Sequence, residues 1–236
     1  MYVLNHKVST SRCNEKRCLK FYSAMQMMQD CSELWLDTEP GVANYFQEKG
    51  MAQLLVFRQV DIVRIPEYRE DLKTQTRVYE MKGTFGFRNT NIFDAAGKVC
   101  YNSWSMGAFV DRASGRLSKI PDDVIRTMHL DNKVEMDYAD RHIRYDKSLL
   151  KAMEPVVVAK DDIDYNGHVN NAQYVRMAME LLPSSFETFR RFRVEYKSPV
   201  KFGEQIQPFT AMSEGRFIIV LKSSGHDACI MEFSNI

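Results

Sequence analysis

The sequence predicts an α+β protein built from two successive copies of one unit, each an antiparallel sheet wrapped around a long helix. Three observations lead there. Residues 20–36 carry Phe21, Met25, Met28 and Leu36 near one helical face, and four strand-like stretches follow. The same order of strand, helix and four strands returns after residue 155. Turn landmarks also repeat: Ile65-Pro66 and Glu70-Asp71-Leu72 stand to their strands as Ser198-Pro199 and Gly203-Glu204-Gln205 do, at an offset of 133 positions (66 to 199, 71 to 204).

Taken in order, residues 2–10 read as a strand and 20–36 as the helix, which Asp37-Thr38-Glu39-Pro40-Gly41 breaks. Residues 42–50 make a second, short amphipathic piece. Strands are expected at 54–65, 72–82, 84–93 and 98–110, with Pro66, Gly83 and Asp94-Ala95-Ala96-Gly97 supplying the turns. A turn at 111–116 leads into 121–150, a run of mixed charge whose default reading is a solvated linker. The second copy has a strand at 155–159, a helix at 171–182 stopped near Pro183, and strands at 189–197, 205–212, 216–223 and 227–233. Matching Phe21 with Tyr174 aligns the helices at an offset of 153, so the first copy holds about 20 extra residues, within 38–50. Each helix must bury its apolar stripe on one sheet face. Two such sheets side by side hide exposed edges. The expected divisions are an N-terminal unit at 1–130, a charged linker at 131–154 and a C-terminal unit at 155–236.

The chain has 236 residues, 44% hydrophobic and 27% charged, with a formal charge of +1. That balance suits a soluble globular protein and argues against nucleic acid or an anionic membrane as the main partner. Residues 1–17 lack the apolar core of a secretory signal, and no stretch approaches the roughly 20 apolar residues of a membrane span. A cytoplasmic protein is expected. The cysteines (Cys13, Cys18, Cys31, Cys100, Cys229) are odd in number and without a C-x-x-C pair, so neither a disulfide framework nor a zinc site is indicated. His6, His129, His142 and His226 show no ligand spacing. No metal or cofactor is expected.

Chemistry concentrates in Asp161-Asp162-Ile163-Asp164-Tyr165-Asn166-Gly167-His168-Val169-Asn170-Asn171, between a strand and a helix. A helix start leaves N–H groups unpaired and carries partial positive charge, so it can hold the oxygen of a polarised carbonyl. Carboxylate, carboxamide, imidazole and helix N-terminus together suit acyl transfer to water. Two plainer readings stand beside this one. Asp, Asn and Asn-Gly are ordinary cap and turn residues. Asp162-x-Asp164-x-Asn166-Gly167 also matches the first half of a calcium-binding EF-hand loop, although Gln173 stands where the closing Glu belongs and a strand precedes the loop.

The run from Asp164 to Asn171, continuing through Tyr174 to Glu180 and Pro183, resembles the signature of the fatty acyl-ACP thioesterases, and Trp104-Ser105-Met106 through Arg116-Leu117 with Ile120 to Val124 resembles that family's segment at the end of the first half. The resemblance implies a tandem hot-dog fold, an acyl pocket shaped largely by the first half, and catalysis from the second. It implies hydrolysis of the thioester between a fatty acyl group and acyl carrier protein, with Asp164, Asn166 and His168 as the catalytic set. Plant members have a Glu-Cys pair where this chain has Pro199-Val200, which excludes a cysteine nucleophile there and requires either that Asp164 do more or that Glu180 or Glu195 stand in for the missing carboxylate. Met25 and Met28 suit either core filling or a flexible acyl pocket wall. Arg190, Arg191, Arg193 and Lys197 form the expected docking surface for the acidic carrier. Acyl-CoA hydrolysis and non-catalytic acyl or calcium binding are the rival functions, and the duplicated chain is expected to be a monomer or a homodimer.

Overall fold

The helix stripes and alternating strands settle into two packing units in the computed structural model, which describes residues 1–235. The first comprises Met1–Val56 and Ile62–Tyr138; the second comprises Phe57–Asp61 and the chain from Ala139 onward.

In the first unit, β1 (Tyr2–Lys7) precedes α1 (Phe21–Leu34), and a 3-10 turn at Trp35–Thr38 leads to α2 (Pro40–Lys49). Then come β2 (Met51–Ile62), β3 (Asp71–Lys82), β4 (Phe85–Asp94), β5 (Val99–Asp111) and a single helical turn, α3 (Asp122–Ile125). The strand order is β1-β3-β4-β5-β2. α1 lies on β3 and β4, with Cys31 Sγ 3.4 Å from the Thr74 carbonyl and Ser32 Oγ 3.1 Å from Thr90 Oγ1. The break expected at 37–41 falls between α1 and α2, and Pro40 opens α2 at the position where its missing N–H costs nothing. α2 adds Val42 and Phe46 to a core cluster with Trp35, Met51, Val78, Phe109, Ile120 and Met128.

The second unit begins with two-residue strands, β6 (Lys151–Ala152) and β7 (Val156–Val157), then α4 (Asn171–Met179). β8 (Arg191–Tyr196), β9 (Gln205–Ser213), β10 (Arg216–Ser223) and β11 (His226–Ser234) complete it. Residues 57–61 of β2 pair antiparallel with β8, from Phe57 opposite Glu195 to Asp61 opposite Arg191, and the order continues β8-β11-β10-β9-β6. Alternation sends Phe192, Val194 and Tyr196 to one face of β8 and Arg191, Arg193 and Glu195 to the other. The Tyr196 hydroxyl donates to the Asn171 carbonyl at 3.1 Å, which marks its face as the one carrying α4.

The opposite face is covered by part of the expected linker. Ile143 is buried with Ala211, Ile218, Val220 and Ile230, and Tyr145 and Leu150 pack on them. Side chains of the sheet grip this strap by its backbone: Gln59 Oε1 accepts from the Ala139 N–H at 3.0 Å, Glu195 Oε1 from the Ile143 N–H at 2.8 Å, and Arg193 donates to the Asp140 carbonyl at 2.5 Å. Mixed charge reads as solvated only while its partners stay out of view. Among the described residues no helix is long and apolar enough to cross a membrane.

The duplication holds at the level of single hydrogen bonds. The Val8 N–H meets the Glu70 carbonyl at 2.9 Å, as Val158 meets Glu204 at 3.0 Å; Leu19 donates to the Pro66 carbonyl and Val169 to the Val200 carbonyl, both at 2.8 Å. The strand landmarks therefore repeat at 134 (66 to 200), one position from the offset read off Pro66 and Pro199, and the helices at 150 (21 to 171). Pairing Phe21 with Tyr174 matched aromatic residues one helical turn out of register. The difference of 16 (150 less 134) is the insertion, the Trp35–Thr38 turn plus α2.

Candidate active site

The polar stretch folds as a tight turn clamped at both ends. A 3-10 turn at Lys160–Asp162 leads in. Ile163 bridges to Val169, the Asp164 N–H donates to the His168 carbonyl at 2.9 Å, and Gly167 returns its N–H to the Asp164 carbonyl at 2.9 Å. Gly167 sits at φ 79, the left-handed region that closes the turn. One carboxylate oxygen of Asp164, Oδ1, accepts from the Asn166 N–H at 2.8 Å. Among the described residues its Oδ2, the Asn166 carboxamide and the His168 ring make no hydrogen bond. Asp164 and His168 are half-buried and Asn166 is exposed. The turn thus gathers all three groups and leaves their reactive atoms unspent, with no hydrogen bond joining the side chains to one another.

The turn is tied to the helix it opens. Asn170 caps α4, its side chain accepting from the Ala172 N–H at 2.9 Å and its carbonyl from the Gln173 N–H at 2.8 Å. That cap engages the amides of Ala172 and Gln173 and not that of Asn171, the residue nearest the turn. Beneath lies a contact that sequence reading passed over. Asp162 is 4% exposed; its carboxylate accepts from Arg176 of α4 at 2.9 Å and from the Ala159 N–H at 2.9 Å, while its backbone carbonyl accepts from the Asn170 N–H at 2.8 Å. Arg176 is held in turn by Gln173, which reaches the Asp161 carbonyl. The signal was the opposite charges of Asp162 and Arg176 on either side of the turn, legible only once loop and helix are known to be adjacent. The same pair removes the calcium reading, since the first EF-hand ligand position is spent on a guanidinium.

Tyr174 is 3% exposed and its ring packs tilted against that of Tyr196, ring centroids 6.2 Å apart. Burial pushes both hydroxyls well above the ordinary tyrosine value, so they stay protonated. Burial likewise raises the Cys229 thiol, which makes it a packing group rather than a nucleophile. Val200, where the resemblance places a cysteine in plant members, is fully buried, and its carbonyl accepts from the Val169 N–H at 2.8 Å.

The other expected site residues lie elsewhere. Glu180 is the exposed C-cap residue of α4, so it sits about 13 Å along the axis from the end that meets the turn. Glu195 faces the strap, on the sheet face away from α4; it accepts from Lys197 at 2.9 Å and lines a cleft of about 350 Å³ with His142, Tyr145 and Asp227. Met25 and Met28 are 2% and 0% exposed in the core of the first unit. The expected basic docking strand is not a surface. Arg191 forms a two-bond pair with Asp61 at 2.6 and 2.9 Å, and Arg193 does the same with Glu232 at 2.8 Å, both nearly buried. Lys197 is exposed and engaged by Glu195 at 2.9 Å, and Arg190 is exposed just before the strand. A strand of alternating Arg looks solvent-facing until its carboxylate partners are found on neighbouring strands.

The first unit carries the same turn with different side chains. The Asn14 N–H donates to the Cys18 carbonyl at 2.8 Å and the Arg17 N–H to the Asn14 carbonyl at 3.0 Å, with Arg17 at φ 61. Asn14, Lys16 and Cys18 therefore occupy the places of Asp164, Asn166 and His168. Only the second copy carries acid, amide and imidazole together.

A model of the acyl-ACP thioesterase N-terminal domain matches residues 1–128, and one of the acyl-ACP thioesterase C-terminal domain matches 145–227. An acyl-[acyl-carrier-protein] hydrolase, chloroplastic FATB3, of Cuphea viscosissima is 24% identical over 169 residues, covering 67% of this chain and 40% of that protein. The chain thus spans less than half the length of that relative. Among solved structures, an acyl-ACP thioesterase from Bacteroides thetaiotaomicron superposes with a TM-score of 0.87 at 20% identity, covering 98% of this chain and 96% of its own. A 12:0-ACP thioesterase from Umbellularia californica gives 0.83 at 16% identity, covering 98% and 96%. These likenesses bear out the tandem hot-dog expectation.

Proposed function

Because the chain belongs to the acyl-ACP thioesterase family, we propose that it hydrolyses fatty acyl-ACP to the free fatty acid and carrier protein, without metal or cofactor, in the cytoplasm. The observation that carries this reading is the turn at 164–168. It presents a carboxylate with a free oxygen, a carboxamide and an imidazole beside the start of α4, and it does so in one copy of a duplicated frame. In the proposed reaction Asp164 takes a proton from water as the water oxygen attacks the thioester carbonyl carbon. Asn166 and the first amide of α4 hold the developing oxyanion. Collapse of that intermediate breaks the C–S bond, and the proton held on Asp164 reaches the leaving thiolate by way of His168, one ring nitrogen accepting it as the other donates, which leaves both side chains as they began. Thiolate is a good leaving group, so no serine nucleophile is required.

The test is hydrolysis of a panel of acyl-ACPs and acyl-CoAs, with and without chelator, by wild type and by Asp164→Asn, Asn166→Ala and His168→Ala. Each variant is expected to lose about 100-fold or more in kcat on acyl-ACP while keeping its thermal transition. Three folded variants with wild-type rates overturn the assignment. A wild type that cleaves acyl-CoA and ignores acyl-ACP overturns the substrate class.

A further inference from the structure

Beside the turn lies a patch of apolar side chains in solvent, framed by two lysines. Tyr165 is 84% exposed, Val157 64% and Phe202 57%. Phe202 stands at the tip of a turn that Gly203, at φ 79, closes with the Glu204 N–H on the Lys201 carbonyl. Lys160 and Lys201 are exposed, and the Lys160 ammonium lies 6.0 Å from the Phe202 ring centroid. Among the described residues neither lysine has a salt-bridge partner. Of the nearby acids, Asp161 is exposed, while Glu204 accepts from Ser223. Backbone bonds join this patch to the turn: Val169 N–H to the Val200 carbonyl at 2.8 Å, and Gly203 N–H to the Val158 carbonyl at 3.1 Å.

Large apolar groups held out in water beside unpaired cations mark a surface that is covered in use. From this juxtaposition we infer that Val157, Lys160, Tyr165, Lys201 and Phe202 dock the acidic carrier protein. Its carboxylates would meet the two lysines and its apolar helix face would meet Phe202 and Tyr165, which seats the acyl-bearing arm at the adjoining turn. The inference rests on the proposed function and deepens it. It also replaces the arginine strand, whose guanidinium groups are already taken by Asp61 and Glu232.

The experiment compares K160E/K201E and F202A with wild type on two substrates. One is the acyl-ACP that wild type turns over fastest; the other is the N-acetylcysteamine thioester of the same acyl chain, which has no carrier to dock. K160E/K201E is expected to raise KM for acyl-ACP about tenfold, with a weaker dependence on salt, and F202A about fivefold. Both are expected to stay within about twofold of wild type on the small thioester. An unchanged KM on acyl-ACP, or equal losses on the two substrates, overturns the docking surface. So does a change in oligomeric state by light scattering, which would assign the patch to a second copy of the chain. Failure of wild type on every acyl-ACP overturns the function itself, a result distinct from a wild type that is active and a variant that matches it.

Discussion

Removing the Arg176 head group with Arg176→Met isolates the pair that hangs the proposed catalytic turn on α4. The Asp162 side chain is 6% exposed and that of Arg176 41%. Breaking a fully buried ion pair from one side costs about 3–5 kcal/mol, because a charge is left without compensation. Here water reaches the guanidinium and Asp162 keeps the Ala159 N–H, so the loss is discounted to about 1–2 kcal/mol. In a chain of this length that lowers Tm by about 2–8 °C. Activity should fall further than stability alone explains, by about tenfold in kcat, since the Asp162 carbonyl also holds the Asn170 N–H at the helix cap and small misplacements of reacting groups are expensive. Thermal melts by circular dichroism and single-turnover hydrolysis of acyl-ACP measure the two effects. Asp162→Asn/Arg176→Met supplies the control, because a neutral carboxamide can still accept from Ala159 while the stranded charge is gone. The double variant should recover part of the lost stability. An Arg176→Met protein within about 1 °C of wild type and with unchanged kcat refutes the reasoning, as does a double variant no more stable than the single.

Gly167→Ala tests the turn itself. No atom lies within 4 Å of the added methyl, so the cost is purely that of φ 79 for an L-residue, about 1–2 kcal/mol; Gly167→Asn should melt above Gly167→Ala, because Asn tolerates this region better. A Gly167→Ala protein as stable as wild type would show the turn to be plastic. Glu70 offers a pH test, since its hydrogen bond with Arg64, with the Glu67 N–H adding to it, holds the carboxyl below its ordinary value of 4.5. A depressed folded-state pKa contributes stability above that value and loses it as pH falls through the folded-state pKa. Wild type should therefore melt above Glu70→Gln at pH 7, with the gap closing below pH 4.5; a gap independent of pH rules out the ionic contribution.

Much of the architecture could be read because it follows from periodicity. Helix stripes, strand alternation and turn residues located both copies, and the missing insertion was placed to within a few residues. What escaped depended on partners distant in sequence. The mixed-charge run after residue 138 looked solvated because nothing local reveals that Glu195, Arg193 and Gln59 take hold of its backbone amides and carbonyls. The arginines of β8 looked exposed because alternation of charged and apolar residues describes a buried ionic ladder as well as a solvated face. Glu180 and Glu195 were singled out for bearing carboxylates near the signature in sequence; one caps the end of α4 far from the turn and the other faces the strap on the sheet face away from α4.

The two turns explain why the acid, amide and imidazole were the most legible part of the site. Duplication preserved what the backbone requires: the bridge, the returning N–H, a left-handed residue and the strand carbonyl that receives Leu19 or Val169. None of these constrains the side chains at the first, third and fifth positions of the turn, which are Asn14, Lys16 and Cys18 in one copy and Asp164, Asn166 and His168 in the other. A frame that folds equally well with either set does not need the second set for folding. Asp164 Oδ1 accepts the N–H two residues on, and Asn14 Oδ1 accepts the N–H four residues on, so an uncharged amide oxygen at this place also braces the turn. The charge and the ring are therefore surplus to structure, and chemistry is the demand that remains to account for them.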